Sequence, residues 1–235
     1  MNMDRRSGIN TGMILLIVLL FLNRLRSGMA NPSAFFYDLL IPLPGIIVGI
    51  TFHEFGHAFV SDRLGDSLPR SQGRVTLNPL AHIDPFGLIA LIFGGFGWGR
   101  PVMINPAAYK KPRRDMLFVA FAGVIMNAIL VLVFALITRF VFRSDAPQVV
   151  LDILVQAIAI NIMLMIFNLL PVPPLDGFNI VTEIFNLRQQ SWYRNLYAAG
   201  GAILLALVVF GITGRILTPA VSAVFDFVVK TIILA

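Results

Sequence analysis

Six apolar runs, most of them about as long as a bilayer is thick, leave this chain few ways to fold. They fall at 11–22, 45–64, 116–142, 149–170, 196–212 and 216–234, and Lys, Arg, Gly and Pro cluster between them. Hydrocarbon offers no water to satisfy backbone N–H and C=O groups, so runs of this length predict α-helices that close their own hydrogen bonds. The expected architecture is an all-α polytopic membrane protein of about six transmembrane helices, one domain over 1–235, with a small re-entrant or β segment between helices two and three. A content of 57% hydrophobic and 13% charged residues excludes an ordinary soluble domain. The formal net charge of +6 would suggest nucleic acid in a soluble protein. Here the cations lie between apolar runs, as topology signals and lipid-headgroup contacts do, so no nucleic acid partner is expected.

The first run is short and is followed by Arg24 and Arg26, which favours an uncleaved helix over a signal peptide. Two cations precede it, eight lie in the 62–115 connection and two precede the fifth span. These twelve stand against five on the other side (Arg24, Arg26, Arg139, Arg143 and Arg215), which predicts both termini in the cytoplasm.

The second run is interrupted where membrane helices seldom are. Within GIIVGITFHEFGHAFVSDRL, His53 and His57 are four apart and share a helix face, while Glu54 sits about 100° round. That H-E-x-x-H spacing lets two imidazoles grip one metal ion while the carboxylate reaches its water. The alternative is a pair of core histidines satisfied by hydrogen bonds, at the insertion cost that ionisable groups carry in a span. The chain has no cysteine, so a third ligand must be His, Asp or Glu. Asp176 is the best placed: it follows the fourth span in NLLPVPPLDG, where Pro171, Pro173 and Pro174 end the helix, and that span runs in the same direction as the second. An ordinary Asp-Gly turn is the competing reading.

Together, His53-Glu54-x-x-His57 and Asn168-x-x-Pro171-x-x-Pro174-Leu175-Asp176-Gly177 resemble the site-2 protease family of intramembrane zinc metalloproteases. NPLAHIDPFG at 78–87 and GWGRPVMINP at 97–106 are similar to its compact prokaryotic branch, without PDZ or CBS domains. The resemblance implies one Zn2+ per chain on His53, His57 and Asp176, Glu54 as general base, and Asn168 as donor to the oxyanion. It further implies a multi-pass protein of a prokaryotic plasma membrane, with its site toward the cytoplasmic half and a single-span membrane helix as substrate. Asn168 as a polar helix end remains the alternative to its catalytic role. Asn127 also matches a family position, as a substrate contact or an interhelical hydrogen bond, although Gly123-Val124 stands where the family commonly has Gly-Pro.

His82 reads as a gate or a fourth ligand of a closed site, or as a histidine stabilising its turn. A helical substrate hides its carbonyls, so the enzyme is expected to capture it on an edge strand around Val102, Met103 and Ile104, within a re-entrant strand or hairpin spanning 93–105. The competing functions are a metal-ion transporter or channel, kept open by Asp152, Gln156 and Asn161 in the fourth span, and an inactive chaperone of the same fold. The substrate's identity and the oligomeric state are not legible.

Overall fold

The computed structural model describes residues 31–94 and 97–235 together with Leu22 and Arg26; the first apolar run up to residue 21 and Gly95 lie outside the described residues. The helices are α1 (Pro32–Leu40), α2 (Leu43–Arg63), α3 (Leu68–Ser71), α4 (Pro85–Gly94), α5 (Pro112–Phe142), α6 (Gln148–Asn168), α7 (Asp176–Phe185), α8 (Tyr193–Val209) and α9 (Ile212–Val228). A π-helical turn, Val229–Ile233, extends α9. Four helical segments are long and apolar enough to cross a membrane: Pro32–Arg63, Pro112–Phe142, Gln148–Asn168 and Ile212–Ile233; Tyr193–Val209 is a shorter apolar helix. Five of the six expected spans therefore have a helix. The break between the last two falls at Gly211, whose left-handed φ of 69° ends α8, and not between 212 and 216 as expected.

The chain forms two compact units, one of residues up to 40 with 84–99, the other of 41–83 with 100–235. In the first, the apolar 85–94 stretch is helix, and the chain after it returns so closely that a Cβ on Gly97 would lie 2.1 Å from the Gly87 carbonyl oxygen. Only glycine allows that approach.

In the second unit, α5 packs against α2, α6 and α7. Small residues permit it: a Cβ on Gly45 would lie 2.7 Å from Ala157 Cα of α6, and one on Gly56 would lie 2.9 Å from the Ala122 carbonyl oxygen of α5. Val131 and Ala135 of α5, Ile158 and Ile162 of α6, and Val228 and Ile233 of the last segment form an apolar core. Phe118, Ile125, Ile129, Leu132, Leu136 and Phe140 of α5 are exposed at helical spacing, the pattern of a face solvated by lipid.

One expectation is corrected. The 102–104 stretch forms no strand: it has no ladder partner among the described residues, and side chains hold it instead. Half-buried Val102 and Ile104 alternate with exposed Met103, the period of extended chain, but Pro101 and Pro106 bound a piece too short to build a hairpin.

Candidate metal centre

α2 brings His53 and His57 one turn apart, with ring centroids 4.7 Å from each other. Each is fixed from behind. Asn127 of α5 donates through Nδ2 to the Gly49 carbonyl (3.2 Å) and to Asn161 Oδ1 of α6 (2.9 Å). Its Oδ1, 2.7 Å from His53 Nδ1, must therefore accept, and His53 Nδ1 carries the proton. His57 Nδ1 is 2.7 Å from the Val119 carbonyl oxygen, which can only accept. That leaves both Nε2 atoms, which face inward, as the ring nitrogens available to a metal ion. They lie 3.1 Å apart.

Gly123, on the α5 face that also carries Asn127, makes the room. A Cβ there would lie 2.5 Å from both His53 Cε1 and His57 Nε2. Sequence reasoning valued Gly123 only for helix geometry; its position four residues before Asn127, on one helix face, was the available signal.

The third group comes from beyond the proline turn. Asp176 opens α7, and its Oδ2 lies 3.2 Å from His53 Nε2 and 3.3 Å from His57 Nε2. Gly177 is not a turn glycine. It sits in the helix where a Cβ would meet the Leu169 carbonyl oxygen at 2.2 Å, so its bareness lets α7 start against the end of α6 and delivers Asp176 to the histidines. Asp176 Oδ2 is buried and lacks a hydrogen-bond donor. Three potential ligand atoms thus converge, a set that a bound metal cation would satisfy. Ligands about 2.0–2.1 Å from a tetrahedral zinc stand about 3.3 Å from one another, and the observed edges of 3.1, 3.2 and 3.3 Å fit that set. His53, His57 and Asp176 are the group able to hold a metal ion among the described residues.

The other singled-out residues are held by partners of their own. Glu54 Oε2 accepts from the Val102 N–H at 3.1 Å. Buried Arg74 donates to the carbonyls of Arg100 and Pro101, the latter at 2.6 Å, and Asp66 accepts from the Asn105 N–H at 2.7 Å. The 100–105 segment is thereby pinned at both ends and to Glu54. Asn168 donates to the Leu164 carbonyl of its own helix at 3.0 Å, which engages one of its two N–H groups. His82 stands apart from the three acceptors: its Nε2 donates to the Thr76 carbonyl at 2.8 Å and its carbonyl accepts from the Arg100 N–H at 2.7 Å. Burial, reinforced by the charge of Arg74, pushes the His82 imidazole below its ordinary pKa and keeps it neutral. Asn161, read as a possible step in a transport path, instead supports Asn127 and bonds the Ala157 carbonyl of α6.

Residues 43–150 and 141–211 match the family described as Peptidase family M50. YwhC of Bacillus subtilis strain 168 is 35% identical over 191 residues, 79% of this chain and 87% of that protein. Rip2 of Mycolicibacterium smegmatis is 27% identical over 202 residues, 84% of this chain and 77% of that protein. Rip2 of Mycobacterium tuberculosis is 29% identical over 187 residues, 77% of this chain and 70% of that protein. Each bears a zinc-metalloprotease name. No solved structure matches the chain. A polytopic helical protein that brings H-E-x-x-H and a distant aspartate to one buried point, and that matches this family over most of its length, belongs to peptidase family M50, the site-2 proteases.

Proposed function

We propose that the protein is an intramembrane zinc endopeptidase that hydrolyses a peptide bond within or near a single transmembrane helix of a membrane-protein substrate. The observation that carries the proposal is the triangle of ligand atoms formed by His53 Nε2, His57 Nε2 and Asp176 Oδ2, with edges of 3.1, 3.2 and 3.3 Å. One zinc per chain held there would supply Lewis acidity, acidifying water and polarising the scissile carbonyl.

The chain's own residues do the rest. Glu54 takes the proton from the attacking water at its carboxylate and returns it to the leaving amine. Val102 fixes that carboxylate through one oxygen and leaves the other for the proton. Asn168 keeps an N–H to offer to the developing oxyanion without competing for the metal. Asn127 and the Val119 carbonyl hold the two imidazole tautomers, the outer-layer support that raises ligand basicity and metal affinity.

A substrate helix must unwind before it is cut. Met103 and Ile104 lie between residues 102 and 105, whose N–H groups are anchored, and their backbone would pair with unwound substrate by strand addition. The reading places the site in the cytoplasmic half of a prokaryotic plasma membrane with both termini cytoplasmic. Purified protein in proteoliposomes, incubated with a panel of single-span substrates, tests it. Wild type should release products of defined mass, while Glu54→Gln or a chelator should release none. Undiminished cleavage by Glu54→Gln would overturn the hydrolytic mechanism.

A further inference from the structure

α9 with its π-helical end, Ile212–Ile233, is long and apolar enough to cross a membrane but differs from the exposed apolar face of α5. At 100° per residue, Arg215, Thr218, Ser222, Asp226 and Lys230 fall within an arc of about 120°, and all five are exposed. The packing residues Val221, Val224, Phe225 and Val228 occupy the other side, against the apolar core. The helix thus turns a polar stripe away from the described residues of its own unit. Neither Asp226 nor Lys230 has an ion-pair partner among the described residues. Lys230 and Arg215 lie close enough to the helix ends to snorkel, but Ser222 and Asp226 lie deeper. A charged group at that depth belongs against a partner or a polar cavity and not against lipid.

We infer that this stripe is a docking surface for a second copy of the chain, related by a two-fold axis along the membrane normal. Copies inserted with the same topology pair α9 in parallel, so Ser222 faces Ser222 and Asp226 of each copy lies one turn from Lys230 of the other. One turn is about 6 Å along the axis, within reach of a lysine stem. The stripe is therefore self-complementary, with one acid and one base exchanged in each direction, and Ser222 and Ala223 are small enough for the helices to approach closely. The apolar run ending at Leu22 carries no ionisable or amide side chain to match it. A second copy carries the match by construction.

The absence of cysteine makes the test clean, because a single introduced thiol can form a disulfide only between chains. Ser222→Cys, oxidised in native membranes, should give a cross-linked dimer, while Leu132→Cys on the apolar face of α5 should not. No dimer at 222, or equal yields at both positions, would overturn the proposal. In the Ser222→Cys background, Asp226→Lys or Lys230→Asp alone should lose the cross-link. The two variants expressed together with different tags should regain it as a mixed dimer. A pair confined to one helix is not rescued by mixing. Single variants that keep the cross-link, or a mixture that fails to restore it, would remove the charge exchange.

Discussion

The two sides of the metal centre are held in opposite ways. His53 and His57 stand on a 21-residue helix and are locked from behind by two neighbouring helices, through Asn127, Asn161 and the Val119 carbonyl. The 100–105 segment that reaches Glu54 has no regular structure and is tied at separate points by Arg74, Glu54 and Asp66. The metal side spends its polar groups on one geometry. The segment leaves Met103 and Ile104 open between fixed ends, which suits a surface that must accept another backbone. Rigidity belongs where a metal ion demands fixed separations, and open hydrogen-bonding capacity belongs where a chain must be captured.

That contrast can be broken from either side, and the largest effect is expected at Gly123. Gly123→Ala puts a methyl carbon 2.5 Å from both imidazoles, and should abolish zinc retention and cleavage together, read by metal analysis of the purified protein. Asn127→Leu leaves the buried His53 Nδ1–H without an acceptor. Zinc affinity should fall about 10–100-fold, measured by competition with a chelator of known affinity. On the other side, Arg74→Gln frees the carbonyls of Arg100 and Pro101. It should slow cleavage by roughly tenfold, the equivalent of one good hydrogen bond to a charged group, with zinc content unchanged. Met103→Pro removes one edge donor and should slow cleavage by a smaller factor, again with zinc retained. If Met103→Pro cuts normally, or if helix-stabilising Leu and Ala replacements in the substrate leave the rate unchanged, strand capture has to be abandoned.

Much of the metal side was legible because its residues are expensive. Two histidines and a glutamate inside an apolar run declare themselves, and the absence of cysteine narrowed the third ligand to His, Asp or Glu, of which Asp176 follows a helix that three prolines end. Gly123 was harder to read, because what it contributes is the absence of a side chain. Asn161 looked like part of a path across the membrane, since a sequence does not say which helix a polar group faces; three-dimensionally it braces Asn127. The 102–104 segment was read as an edge strand, but alternation and flanking prolines cannot distinguish a strand from an irregular piece held by side chains. The boundary between α8 and α9 moved for a similar reason: Gly211 and Gly214 are alike in sequence, and only one takes the left-handed conformation.

The central claim is that one zinc is bound per chain by His53, His57 and Asp176 while Glu54 acts on the proton. Metal stoichiometry measured side by side in wild type, Glu54→Gln and the double variant His57→Ala with Asp176→Asn addresses it most directly, because the three chains separate ligation from proton transfer. The account predicts about one zinc per chain in wild type and in Glu54→Gln, and none in a double variant that still inserts and keeps its helical content. Stoichiometric zinc in that double variant would contradict it.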